Sequence, residues 1–445
     1  MRVLHVIQGY YPWVGGSQRF FQEISERLVT AGHSVTVVTT DAGELEHFWS
    51  RGRRTVQPAE ETIRGVQVLR FPVRRRLNGT FLFSVYRRLM AELSDLPWDT
   101  TPLLRRIGRL TPRVPGLEEY LSHTDTAFDL VNGANITLDF MLTPALSFAR
   151  ARRIPFVVTP FTHLGAPGQR RVQRYYTMRH QREILLQADA VITQTALESE
   201  LLARLGVAQE KLYCIGAGIE PASVQGGDGR RFRDRYGLEG PIVFYIGTLA
   251  RDKGTVQLVE AMRRLWASGR EAHLVLAGLP LSSLRGWLER VAAAERGRLL
   301  WLGFIDEDEK RDLLAAGDIF CMPSCTDSFG IVYLEAWANG VPVIGARAGG
   351  VPAVIADGVD GLLVDFGDVA GLTHAIERLL DEPALRREMG LRGREKVLQG
   401  MTWSHVFDRI RVLYERLVEG RDGASARRSK LPNDAPSVDN GRHLS

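Results

Sequence analysis

The chain has 445 residues, 44% of them apolar and 24% charged, which excludes a single small module and fits two to three globular domains of about 100–200 residues each. No stretch reaches the roughly 18 uncharged apolar residues of a spanning helix, and the apolar run after Met1 is too short for a signal peptide's core, so a cytoplasmic protein is expected. Three cysteines (Cys214, Cys321, Cys325) are too few for a disulfide framework and lack the second Cys or His pair of a zinc site; buried thiols and no metal are expected. The net charge of +5 is uneven, because residues 1–215 carry 27 Lys and Arg against 20 Asp and Glu, and residues 216–445 carry 30 against 32.

Val- and Ile-rich runs alternate with segments of helical period, the pattern of βαβ units whose parallel strands are buried on both faces. The expected fold class is therefore α/β, with two Rossmann-like doubly wound domains in tandem facing a cleft. In residues 1–215 the predicted strands are Val3–Ile7, Ser34–Thr39, Val66–Phe71, Phe128–Asn132, Pro155–Thr159, Ala190–Thr193 and Lys211–Ile215. Between the first two, Phe20, Phe21, Ile24 and Leu28 mark one apolar helix face.

Residues 73–121 break this alternation. They place Phe81, Leu82, Phe83, Val85, Tyr86, Leu89, Met90 and Leu93 among arginines, and residues 64–113 hold eleven arginines against Glu92, Asp95 and Asp99. Two readings stand: a helical insertion packed on the first domain with a solvated basic face, or a basic amphipathic surface that meets an anionic membrane at its inner face. Only five lysines occur, so clustering rather than arginine number carries this argument.

Residues 216–240, rich in Gly and Arg, read as a linker. The alternation resumes over residues 241–400 with strands Ile242–Ile246, His273–Ala277, Leu299–Leu302, Asp318–Met322, Val341–Ile344 and Gly361–Val364 and helices Thr255–Ala267, Glu307–Ala316 and Val369–Leu380. A last helix is expected over 401–420, and a polar tail over 421–445 reads as disordered.

Three segments carry chemistry. After the first strand, Gly15-Gly16 permit close backbone approach where a helix N-terminus presents free N–H groups, and the spacing is not the dinucleotide fingerprint. The run Gly247-Thr248-Leu249-Ala250-Arg251-Asp252-Lys253-Gly254 sets cations beside a helix start, which suits a diphosphate. In the run Cys321–Gly350, Ser328-Phe329-Gly330 are expected to start a helix at the sheet's carboxyl edge. Asp327 precedes that helix and Glu335 lies inside it, with seven residues between them.

Asp327 to Ala336, followed by Gly340-Val341-Pro342-Val343-Ile344, resembles the E-x7-E segment of the retaining GT-B-fold glycosyltransferases of family four. Gly15-Gly16, Gly247, Lys253-Gly254, Gly349-Gly350-Val351-Pro352 and Asp357-Gly358 continue the resemblance, over about residues 1–60 and 125–420. The resemblance implies that Glu335 holds the ribose of a nucleotide-sugar donor and Lys253 neutralises the diphosphate, and Arg251, three residues after Thr248, is expected to replace in part the phosphate donor missing there. It implies further that Ser328, Phe329 and Gly330 bind the donor through main-chain amides, that Gly16 approaches the phosphate, and that His163 contacts the donor sugar. Catalytic roles thus fall to His163, Asp327 and Glu335.

Three positions depart from the pattern: Asp327 stands for Glu, Thr248 where Arg is usual, and Ala353 where an acid is common. The expected activity is sugar transfer from a UDP- or GDP-linked donor to a hydroxyl acceptor, with retention and with neither metal nor cofactor. A lipid-linked acceptor at an anionic membrane is expected, and no nucleic acid. The alternatives are a non-catalytic nucleotide-sugar-binding protein of the same fold, or an epimerase or phosphorylase on that architecture.

Overall fold

The computed structural model describes residues 1–422 apart from Val14, Pro167 and Gln169; the expected disorder of the tail concerns residues that, from 423 onward, lie outside the described residues. The described chain forms two compact units. Residues 1–162, the stretch from Arg170 to Ile215 and the chain from Phe407 onward make the first; a short segment beginning at His163 and residues 216–406 make the second.

The first unit contains β1 (Arg2–Val6), β2 (Ser34–Thr40), β3 (Glu60–Ile63), β4 (Val66–Phe71), β5 (Leu130–Ala134), β6 (Phe156–Thr159), β7 (Ala190–Thr193) and β8 (Leu212–Cys214). They form one sheet in the order β3-β4-β2-β1-β5-β6-β7-β8, parallel except for the β3–β4 hairpin. The strands are Val-rich because helices cover both faces: Leu4, Val38, Val131, Phe156 and Val158 are fully buried in one continuous core. Strand β3 escapes the sequence because its residues alternate between exposed and half-buried and its turn, Arg64-Gly65, is not one of the common hairpin dipeptides. Both turn residues take positive φ (49° and 81°), as a two-residue hairpin of type I′ requires.

Residues 73–121 fold as α2 (Thr80–Ser94), α3 (Thr101–Gly108) and α4 (Pro115–His123), after α1 (Gly16–Thr30) and before α5 (Asp139–Arg152). Met90, Ala91, Leu104 and Met178 form a small core beneath α2 and α3. Several arginines expected on an outer basic face are spent inside this packing. Arg70 is buried against Glu61 and donates to the carbonyls of Pro58 and Tyr11; Arg75 donates to those of His47 and Ser50; Arg87 donates to that of Tyr175.

The second unit is a wholly parallel sheet of β9 (Ile242–Ile246), β10 (His273–Ala277), β11 (Leu299–Gly303), β12 (Ile319–Met322), β13 (Val343–Ala346) and β14 (Gly361–Val364), ordered β11-β10-β9-β12-β13-β14. The stretch expected as a linker carries two short helices, Pro221–Val224 and Gly229–Tyr236, and belongs to this unit. It shows no apolar period because Phe232 is the buried side chain of the longer helix, which is held instead by Arg231 on both carboxylate oxygens of Asp312, at 2.6 and 2.8 Å. Cys321 and Cys325 are buried as expected, whereas Cys214 is exposed at the end of β8. The last helix, Trp403–Asp422, packs with the first unit from Phe407 onward, where the Tyr414 hydroxyl meets His5 Nε2 at 3.3 Å and accepts from Asn132 Nδ2 at 2.6 Å.

Candidate functional site

In each sheet the strand order reverses at one point, β1/β5 in the first unit and β9/β12 in the second. Doubly wound sheets bind ligands outside the carboxyl ends of the strands at such a point. In the second unit the two loops found there are the chemistry-bearing runs, Gly247–Gly254 after β9 and Pro323–Gly330 after β12.

The two loops are stitched together. The Cys325 N–H donates to the Asp252 carbonyl at 2.9 Å, and the Thr326 hydroxyl donates to Asp252 Oδ2 at 2.9 Å. Gly254, the N-cap of the helix Thr255–Ala267, sits at φ +79°, and a Cβ there would lie 2.3 Å from the Pro323 carbonyl oxygen. Only glycine fits that crossing.

The stitching brings Lys253 Nζ to 3.0 Å from Asp327 Oδ1. Burial opposes ionisation of Asp327, but the Lys253 ammonium, the Ser324 hydroxyl and His163 outweigh it and hold the carboxyl below its ordinary range. His163 belongs to the same unit. Burial and the neighbouring Lys253 cation push its imidazole down to about 4, against the opposing pull of Asp327 and Asp252, so it is neutral at physiological pH. Three predicted site residues, Lys253, Asp327 and His163, thus form one electrostatic cluster.

Glu335 is the fifth residue of the helix Ile331–Ala338, whose N-cap is Gly330. The helix therefore begins just after Ser328-Phe329-Gly330 rather than at Ser328, and those residues form the loop that enters it. Glu335 Oε1 lies 2.7 Å from Lys310 Nζ, on the helix Glu307–Ala316. Asp327 Oδ2 and Glu335 Oε2 are shielded from solvent and have no hydrogen-bond partner among the described residues. Each acid thus has one oxygen held by an ammonium and a second that is shielded and unpaired among the described residues.

Arg251 and Thr248 are exposed in the first loop, and the Thr248 carbonyl accepts the Tyr245 hydroxyl at 2.7 Å. Gly247 sits at the end of β9, its N–H bound to Ala277 of β10. Gly349 and Gly350 lie against the same corner, the Gly350 N–H donating to the Asp327 carbonyl at 2.8 Å. Ala353 ends a short 3-10 turn, Val351–Ala353.

In the first unit, Gly15 caps α1 and Gly16 opens it; a Cβ on Gly16 would meet nothing within 4 Å. The helices after Gly15, Gly254 and Gly330 all lack a side-chain cap. Thr195, Asp228, Asp306 and Asp368, by contrast, cap theirs with side-chain oxygens. Uncapped N–H groups at the carboxyl edge of a sheet are ready donors for anionic oxygens.

Sequence reasoning missed Lys310, Ser324 and the Asp252–Thr326 tie. The signal for Lys310 was scarcity: of five lysines, Lys253, Lys310 and Lys396 each pair with a carboxylate of the second unit, Lys396 with Asp360 at 2.7 Å. Among the described residues no three His, Cys, Asp or Glu side chains gather in a way that could hold a metal ion.

Residues 230–396 match the family model of the glycosyl transferases group 1, and residues 15–218 match that of the glycosyl transferase 4-like domain. The chain is 33% identical over 258 residues to D-inositol 3-phosphate glycosyltransferase of Acidothermus cellulolyticus, which covers 55% of this chain and 57% of that one. It is 34% identical over 160 residues to alpha-D-kanosaminyltransferase of Streptomyces kanamyceticus, covering 35% of this chain and 41% of that one. The chain thus spans about half the length of the curated relatives it matches. Among solved structures, sucrose-phosphate synthase of Thermosynechococcus elongatus superposes with a TM-score of 0.70 at 22% identity, covering 94% of this chain and 99% of that one. Anabaena HepE, solved with UDP and glucose, superposes with a TM-score of 0.68 at 17% identity, covering 93% and 99%. With both sheets and both family models matched, the chain belongs to the group 1 glycosyltransferases, of GT-B fold.

Proposed function

We propose that this protein transfers a sugar from a UDP- or GDP-linked donor to a hydroxyl acceptor, with retention at the anomeric carbon and without a metal ion. The observation that carries the reading is the pair of acids at the second unit's switch point, each with one oxygen on an ammonium and one oxygen shielded but unpaired among the described residues. In the donor complex Glu335 takes the ribose hydroxyls and Asp327 the sugar's. Lys253 then exchanges part of its contact with Asp327 for the diphosphate, with Arg251 and the uncapped N–H groups after Gly254 and Gly330 beside it.

Cleavage of the sugar–phosphate bond leaves charge on the diphosphate while the sugar becomes oxocarbenium-like, and fixed cations and main-chain donors stabilise that charge without reorganising. The departing phosphate oxygen accepts the proton of the attacking hydroxyl. Neutral His163 is a hydrogen-bond partner for the donor sugar and adds no positive charge where the oxocarbenium develops. Gly16, with open space over its Cα, suits close approach of a phosphate.

The acceptor is proposed to be lipid-linked, reached by peripheral contact with an anionic membrane. Curated relatives include a GDP-mannose-dependent monoacylated alpha-(1-6)-phosphatidylinositol monomannoside mannosyltransferase of Corynebacterium glutamicum, 33% identical over 177 residues. No described helix is long and apolar enough to cross a membrane. On the outside of α2, Phe81, Leu82, Val85 and Leu89 are 77, 50, 52 and 52% exposed, with Arg88 beside them.

A thermal-shift screen of UDP, GDP, ADP and their sugars, followed by a donor-hydrolysis assay in EDTA, tests the reading. A shift with one nucleotide class and turnover in chelator are expected. No shift with any diphosphate would refute donor binding, binding without turnover would leave a nucleotide-sugar-binding protein, and strict Mg²⁺ dependence would refute the metal-free mechanism.

A further inference from the structure

The first unit contains a cavity of about 510 Å³ unrelated to the donor-site residues. It lies at the carboxyl side of the sheet, between the chain that follows β2 (Leu45, Phe48, Trp49), the chain that follows β5 (Thr137 to Phe140) and the inner face of α2. This is the edge at which doubly wound sheets take ligands, and the volume lies within the roughly 300–1,000 Å³ of small-molecule sites.

The lining is apolar because its polar groups are satisfied elsewhere. The Tyr86 hydroxyl donates to the Ile107 carbonyl at 2.6 Å, Arg87 donates to the Tyr175 carbonyl at 3.2 Å, and Asp139 lies 3.2 Å from His180 Nε2. The rings in the wall are also engaged with one another: Trp49 stacks on Phe83 at 5.0 Å, and Phe48 meets Phe140 at 5.7 Å. Such a wall offers a hydrocarbon-like surface rather than an open slot for a flat ring. The indole N–H of Trp49 is shielded and has no partner among the described residues, so it adds no donor to the accessible wall.

Helix α2 joins this cavity to the exterior. Its inner face supplies Phe83, Ser84, Arg87 and Met90 to the lining, Ser84 being exposed at the rim, while Phe81, Leu82, Val85 and Leu89 form the exposed apolar stripe. An apolar chain drawn from an apolar phase on the outside of α2 would find a second apolar surface on its inside.

We infer that this cavity binds the flexible hydrocarbon chain of the sugar acceptor, an alkyl or isoprenoid group. The assignment of the chain to an acceptor rests on the transfer activity proposed above, whereas the binding of the chain does not.

Calorimetry of the full protein against alkyl glucosides from hexyl to dodecyl, each below its micellar concentration, tests the inference, with UDP and GDP titrated into the same preparation. Affinity should rise about fourfold per added methylene until the cavity is filled. Ser84→Trp, at a rim position that tolerates a larger side chain, should abolish that dependence, and Ser84→Ala should keep it. Affinity independent of chain length, an unchanged series in Ser84→Trp, or tighter binding of a planar aryl glucoside than of dodecyl glucoside would each overturn the inference. Chain-length-dependent binding without any nucleotide binding would uphold the cavity's ligand and refute the donor reading instead.

Discussion

Lys310 reaches across from the helix Glu307–Ala316 and holds Glu335 Oε1 at 2.7 Å, so the second acid of the motif is oriented by a residue 25 positions upstream. Glu335→Ala should lower transfer at least tenfold, about 1.4 kcal/mol, with the fold retained. Lys310→Met should also lower it, and should lose about 1–3 kcal/mol of stability because the shielded carboxylate is left unpaired. Steady-state kinetics and urea unfolding of both variants check this; wild-type kinetics in Lys310→Met would remove its orienting role.

Lys253 has two tasks, and its removal should separate them. Lys253→Ala should weaken UDP or GDP binding far more than binding of the free nucleoside, since an ammonium acts on phosphate as a point charge. Asp327, losing the cation that most lowers its pKa, should titrate higher, so the acid limb of the pH–rate profile should move to higher pH. Calorimetry with both ligands and a pH series decide; equal losses for nucleoside and diphosphate would place Lys253 outside the phosphate site.

His5 is fully buried between Ser25 and Tyr414, and burial pushes its imidazole down to about 3. A histidine kept neutral by the fold costs nothing above its unfolded value of about 6.5; below that pH the unfolded chain gains the proton first and the fold loses about 1.4 kcal/mol per pH unit, down to the folded value. The stability advantage of wild type over His5→Gln should therefore be greatest at neutral pH and shrink as the pH falls from 6.5 toward 4.5. Chemical denaturation at several pH values measures it, and a pH-independent difference would mean that His5 does not titrate with folding.

Membrane contact should depend on the outer stripe of α2 and not on the arginines used inside the fold. Phe81→Ser with Leu82→Ser should reduce cosedimentation with phosphatidylglycerol vesicles in about 0.1 M salt. Arg88→Ser should reduce it by a further amount on the order of 1 kcal/mol. Arg75→Ser and Arg87→Ser should instead lower the melting temperature, because they leave part-buried carbonyls, those of His47 and Ser50 and that of Tyr175, without these donors. Failure of wild type to cosediment would make residues 73–121 a packed insertion only.

The two-sheet α/β fold, nearly every parallel strand and the helix Ile331–Ala338 with Glu335 inside it were legible in the sequence, because burial on both faces imposes long Val- and Ile-rich runs that survive as local pattern. Lys253 and Asp327 stood out in their local runs, a cation beside a helix start and an acid before one, whereas His163 could be named only through the family resemblance. What the tertiary structure alone decided is the set of relations that depend on distant chain segments meeting. Among these are the Lys253–Asp327 and Lys310–Glu335 pairs and the Tyr414 hydroxyl between His5 and Asn132. Others are the incorporation of 216–240 into the second unit through Arg231 and Asp312, the burial of Arg70, and the tethering of half-buried Arg75 to main-chain carbonyls, both of which read as surface charge. Hydrophobic burial is written along the chain with the period of its own helix or strand, whereas a charge finds its partner wherever the fold brings one, and no periodicity records that.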